Sequence, residues 1–317
     1  MSYKSKLEIQ PQRKLLALDG GGIRGIISIE ILARIELELK KSIGAGKDFR
    51  LSDYFDYIGG TSTGAIIAAA LSLGMTVDEL RDFYLKSGEL MFDKASLLKR
   101  FRFRYDDENL SKQLKKVFGE DTLFGSEKLK TLLMLVLRNA TTDSPWPLSN
   151  NPKALFNITT VGNNLKYPLW QLVRASSAAP TYFPPESIRI ENENQDHLFV
   201  DGGVSMYNNP AFHLFIMATA EPYNLRWETG TDKILLVSVG TGFAANSNLN
   251  LTEGEMNLIY NATKIPSALM FSALNEQDFL CRLFGDCRFG HELDLEVGDM
   301  IGKQGPVEPK LFSYLRY

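Results

Sequence analysis

The residues Tyr57-Ile58-Gly59-Gly60-Thr61-Ser62-Thr63-Gly64, followed by the apolar run 65–73, constrain this chain more than any other stretch. An extended apolar segment, a turn of small residues and a helix-forming segment follow one another without a spacer. Small residues at Gly60, Thr61, Thr63 and Gly64 permit a reversal tight enough to hold the Ser62 hydroxyl at a sheet edge near a helix N-terminus. That is the geometry of a nucleophile elbow, G-x-S-x-G. The motif also recurs by chance, and the same residues fit an ordinary strand-to-helix turn in which Ser62 caps the helix.

Two further glycine turns follow apolar segments. Residues 14–18 run into Asp19-Gly20-Gly21-Gly22-Ile23-Arg24-Gly25, and Leu198-Phe199-Val200 runs into Asp201-Gly202-Gly203. Apolar residues at 29, 32, 35 and 39 predict a helix over 26–41. Helices are also expected at 77–86 and 126–139, at 169–178 before Pro180, and after Asn209-Pro210. Strands are expected at 154–161 and 233–239. Alternating strands and helices argue for a mainly parallel sheet covered on both faces. Ligands bind at the carboxyl ends of strands in such sheets, so the three turns are expected to meet at one edge.

The chain has 317 residues, 44% hydrophobic and 23% charged, with a formal net charge of -3. We expect one domain over 1–317, with a motif core at about 12–242 and a lid or extension at 243–317. The charge offers no general attraction to nucleic acid or anionic membrane. No apolar run reaches the length of a membrane span, and the first residues lack a signal peptide's apolar core and a myristoylation start. A cytoplasmic protein is expected. Cys281 and Cys287 fit no zinc spacing and read as reduced, and no cofactor or metal is called for.

Chemistry concentrates in the three turns. Ser62 offers a nucleophile that needs a base. The Gly20–Gly25 loop offers backbone N–H groups that, pre-aimed at an oxyanion, are worth roughly 3 kcal/mol each. Asp201 offers a carboxylate, or else caps its own turn. The chain has three histidines. His197 would lie roughly 13 Å from Asp201 along one strand, His213 falls in the first turns of the helix after Pro210, and His291 follows a glycine in a charged loop. A Ser62–Asp201 dyad is the sharper reading, although a carboxylate with a pKa of about 3.9 is a weak base for an alcohol. It requires a dry site that raises that value. Gly20 to Gly25 also satisfy the dinucleotide fingerprint G-x-G-x-x-G, but the acidic residue wanted about 20 positions on would fall in a helix. Arg24 suits an anionic head group or bonds to loop carbonyls.

Taken together, D-G-G-G-x-R-G at 19–25, G-x-S-x-G at 60–64 and D-G-G at 201–203 resemble the pattern of the patatin-like phospholipase family. Residues 174–183 and Asn208-Asn209-Pro210 resemble its further stretches, and the similarity covers about 12–242. The resemblance implies a three-layer α/β/α sandwich and calcium-independent lipid acyl hydrolysis. It implies Ser62 as nucleophile, Asp201 as base, and an oxyanion hole at Gly21 and Gly22 with Gly20, Ile23 and Arg24 nearby. Two alternatives stay open: a non-catalytic lipid- or nucleotide-binding regulator, and a Ser-His-Asp esterase using His213. The substrate expected is a phospholipid or lysophospholipid, reached by peripheral membrane contact and without nucleic acid. Lys99-Arg100-Phe101-Arg102-Phe103-Arg104-Tyr105 interleaves basic and aromatic residues, which suit anionic head groups or a strand or loop with a solvated basic edge. Residues 259–274, with Ile265, Leu269, Met270 and Phe271, fit either an apolar lid or a segment packed in the core.

Overall fold

A computed structural model describes residues 2–92, 107–158, 163–180, 182–190, 195–242 and 252–317. The strands are β1 (Arg13–Leu18), β2 (Tyr57–Thr61), β3 (Leu132–Asn139), β4 (Ser144–Ser149), β5 (Glu186–Arg189), β6 (Asp196–Asp201), β7 (Ile234–Val239), β8 (Asp286–Phe289) and β9 (Ser313–Arg316). The helices are α1 (Gly25–Ser42), α2 (Leu51–Tyr54), α3 (Thr63–Ser72), α4 (Val77–Phe92), α5 (Asp107–Phe118), α6 (Leu155–Ile158), α7 (Leu169–Ser176), α8 (Ala211–Thr219) and α9 (Leu258–Phe284).

The nine strands among the described residues join one sheet along the path β5-β6-β3-β2-β1-β7-β9-β8, with β4 also on β3. Pairing is parallel from β3 through β2, β1, β7 and β9 to β8. It is antiparallel where β4, β5 and β6 join. Every residue of β2, and 15–18 and 132–137 of its neighbours, is buried, as expected for strands covered on both faces. Adjacent β2 residues show the two covers. The open Cα face of Gly59 meets Leu214 of α8, and that of Gly60 meets Gly64 of α3. Successive residues of a strand point to opposite faces, so α3 and α8 lie on opposite sides of the sheet. α3 is apolar all round and buried along its length, the pattern of a helix with neighbours on every side.

Two assignments change. The run expected to be helical at 126–139 contains β3. An apolar run of this length carries no periodicity that tells a buried strand from a buried helix. The strand expected at 154–161 is the short helix α6 over the part described. The segment 99–105 lies outside the described residues, and the candidate lid falls on α9.

One register sets up the site. β2 pairs with β3 residues 132–136, β4 with 134–139, and β6 with 137–139. A strand has two edges, so β4 takes one edge and β2 and β6 share the other in tandem. Thr61 sits opposite Val136 and Asp201 opposite Leu137. The end of β2 therefore meets the end of β6 head to head. The serine and aspartate turns do converge, but β6 runs opposite to β2 and arrives from beyond it, not alongside it as a third parallel strand.

Candidate active site

Ser62 occupies the turn between β2 and α3 with φ 57 and ψ -122, a left-handed backbone rare outside glycine. Such strain persists where the surroundings over-determine it, and here they do. A Cβ on Gly60 would collide with the Gly64 carbonyl, and one on Gly64 with the Leu18 carbonyl of β1. Ser176 Oγ accepts the Ser62 N–H at 3.0 Å while donating to Val136 O at 2.6 Å. Ser177 Oγ donates to Ser62 O at 3.3 Å. The Ser62 side chain makes no helix-capping bond. Its hydroxyl donates instead to Asp201 Oδ2 at 2.6 Å.

Asp201 closes β6 and is buried. Its other oxygen, Oδ1, accepts the Gly203 N–H at 2.7 Å. Burial pushes its pKa up to about 6, and the bonds from Ser62 and Gly203 pull the other way. In the turn at 201–203 one carboxylate oxygen caps the turn and the other faces the serine.

The glycine loop lies beside this pair. A Cβ on Gly20 would stand 3.2 Å from Ser62 Cβ. The Gly20 N–H donates to Asn208 O at 3.0 Å, which removes Gly20 from the donors free for an oxyanion. The Arg24 N–H is likewise taken, by Gly21 O. Gly21, Gly22 and Ile23 N–H groups have no intramolecular acceptor among the described residues. The Arg24 guanidinium bonds to Gly242 O at 3.0 Å and ties the loop to the end of β7. Thr61 Oγ1 donates to Tyr207 O at 2.6 Å. The segment at 207–208 therefore braces both the serine strand and the glycine loop.

The histidines lie elsewhere. His213 stacks against Tyr207, with ring centroids 4.4 Å apart, and faces Tyr223 edge-on. Burial lowers its pKa to about 4, and its Nε2 has no hydrogen-bond partner among the described residues. His197 Nδ1 meets Asn139 Nδ2, and His291 is exposed. Among the described residues no group of three His, Cys, Asp or Glu side chains is placed to hold a metal ion.

Residues 16–215 match the family model described as patatin-like phospholipase. The chain belongs to the patatin-like phospholipase family. It is 32% identical over 217 residues to a "cGAMP-activated phospholipase" of Vibrio cholerae serotype O1, covering 64% of this chain and 57% of that protein. It is 29% identical over 262 residues to Patatin-17 of Solanum cardiophyllum, covering 76% of this chain and 63% of the patatin. The match thus spans under two thirds of either relative's length. Among solved structures, the chain aligns with a crystal structure of VipD from Legionella pneumophila at 13% identity and a TM-score of 0.41, over 87% of this chain and 56% of that one. All three patatin-like motifs fall on the strand ends described above. Ser176 and Ser177 lie in the stretch 174–183 that carries part of the resemblance. Their roles as clamps on Ser62 show only in three dimensions.

Proposed function

We propose that this chain hydrolyses acyl esters of phospholipids or lysophospholipids through a Ser62–Asp201 dyad, without calcium. The observation that carries the reading is the 2.6 Å hydrogen bond from Ser62 Oγ to a buried Asp201 carboxylate. A burial-raised pKa of about 6 makes Asp201 a better base than an exposed aspartate. As Ser62 Oγ attacks the ester carbonyl, its proton passes to Asp201 Oδ2 and the carbonyl oxygen takes up negative charge. The Gly21 and Gly22 N–H groups are the donors proposed to receive that charge. The tetrahedral adduct collapses, the ester C–O bond breaks, and Asp201 returns the proton to the departing alkoxide. Water then attacks the acyl-enzyme and gives a proton to Asp201. Collapse of that second adduct releases the fatty acid, and the proton returns to Ser62 Oγ.

α9 supplies the route to lipid. The Met270 side chain reaches the Gly203 turn, so this helix passes over the site. Ile265 and Leu269, one turn apart, are 49% and 66% exposed. They form an apolar edge suited to shallow, reversible insertion from the cytoplasm. No described helix is long and apolar enough to cross a membrane.

The test is fatty-acid release from phosphatidylcholine and lysophosphatidylcholine vesicles with a chelator present. Wild-type turnover, with a loss of at least 1,000-fold in Ser62→Ala, is the expected result. A Ser62→Ala variant as active as its parent would remove the proposal. Vesicle co-sedimentation should weaken in Ile265→Ser/Leu269→Ser.

A further inference from the structure

β9 reaches the site from outside the stretch that carries the family motifs. It pairs with β7 so that Arg316 lies opposite Ser238, two residues before Gly240. The Arg316 guanidinium turns into the sheet edge and grips the buried Asp19 with both prongs, Nη1 to Oδ1 at 2.9 Å and Nη2 to Oδ2 at 2.5 Å. Nη1 also donates to Ser238 Oγ at 2.7 Å. Arg316 is the ion-pair partner of Asp19 among the described residues. Backbone bonds anchor the next residue to β7 and the turn beyond it, from Tyr317 N–H to Ser238 O at 2.9 Å and from Gly240 N–H to Tyr317 O at 2.8 Å.

Asp19 is the first residue of the glycine loop. Its own N–H donates to Val239 O, the Gly20 N–H to Asn208 O, and Thr241 Oγ1 to Gly20 O. A buried carboxylate without its counter-charge must take a proton or draw in water, and either response moves the backbone that carries it. The loop's free N–H groups begin two residues further on. A shift there changes the aim of the proposed oxyanion donors directly, whereas the nucleophile turn is held by a separate set of contacts.

We infer that Arg316 is a positioning residue for ester hydrolysis. Through Asp19 it holds the glycine loop where Gly21 and Gly22 face the acyl oxygen, an assignment that rests on the hydrolase reading above for its catalytic half. A bidentate pair sets orientation as well as charge, so lysine is a partial substitute.

The experiment compares wild type, Arg316→Gln, Arg316→Lys and the double variant Asp19→Asn/Arg316→Gln on p-nitrophenyl butyrate, a soluble ester. Competent serines are counted with a fluorophosphonate, so that kcat refers to folded sites alone. Arg316→Gln should lower kcat per titrated site 30- to 100-fold with KM within threefold. Arg316→Lys should lose under 10-fold. The double variant, which buries no unpaired charge, should recover at least 10-fold over Arg316→Gln. Hydrogen exchange at the Asp19, Gly20 and Arg24 amides should quicken at least 10-fold in Arg316→Gln, with residues 63–72 unchanged. If Arg316→Gln does not fold, Arg316→Lys carries the same comparison. An unchanged kcat per site with unchanged exchange overturns the inference. A wild type that neither labels nor turns over instead fails the hydrolase reading, and the exchange rates still decide whether Arg316 holds the loop.

Discussion

The serine turn and the aspartate turn meet at one hydrogen bond but are built in opposite ways. Ser62 sits between a strand and a helix whose residues are all buried, and glycines fix it through backbone-to-backbone contact. Asp201 ends a strand that alternates between exposed and buried only over residues 196–199, and the turn beyond it passes to the exposed Val204 and Met206. Ser62 is set between two fully buried elements, whereas Asp201 ends a strand that is only partly covered. Disturbing the first should cost structure. Disturbing the second should cost chemistry while leaving the structure intact or firmer.

Asp201→Asn gives the largest separation of the two. We expect turnover to fall by at least 1,000-fold, a barrier increase of about 4 kcal/mol or more. Stability should move the other way. With a pKa raised to about 6, the folded carboxyl holds its proton more tightly than the unfolded chain. This group's contribution to stability is therefore greatest below pH 4 and declines as pH rises towards 6. Replacing it with a neutral isostere removes that penalty, a gain of up to about 3 kcal/mol at pH 7.5. Urea melts at pH 4 and 7.5 check the sign, and a variant less stable than its parent at pH 7.5 would contradict it.

Gly60→Ala probes the core side. The new methyl meets the α3 backbone, which has no side-chain rotamer through which to yield. Overpacking of this kind should cost about 3 kcal/mol of stability, readable as a drop in Tm. A variant of unchanged Tm and activity would show that the turn is looser than its contacts imply.

Ser176→Ala is smaller and sharper. It removes the acceptor of the Ser62 N–H but leaves the hydroxyl and Asp201 in place. A tenfold fall in kcat with KM nearly constant is expected, about 1.4 kcal/mol. Wild-type kcat should itself rise with pH through about 6, as Asp201 loses its proton.

His213→Ala is the smallest, within threefold of wild type, because this ring packs on Tyr207 and Tyr223 and makes no bond to the dyad. A loss above 100-fold in a folded variant would reopen a histidine-dependent esterase.

The parts legible in the sequence are those whose mechanism is local. A glycine turn after an apolar strand announces itself through backbone sterics, so Ser62, Asp201 and the 19–25 loop were visible as candidates. The same local logic could not show that the Gly20 N–H is spent on Asn208. Residues 132–139 read as readily as a helix, because a strand buried on both faces loses its alternation. The reversed direction of β6 leaves no local trace either, since it depends on which edge of β3 stays open beyond Thr61. Arg316 sits 297 residues from Asp19. No periodicity or spacing links an arginine to a carboxylate across that distance.

The sheet order places β9 between β7 and β8, with β8 attached through β9. A ribosome makes residues 286–289 before residues 313–316. The earlier strand therefore has no place in the sheet until the later one has been made. Attachment at this margin runs against the order of synthesis, because the strand made first reaches the sheet only through the strand made after it.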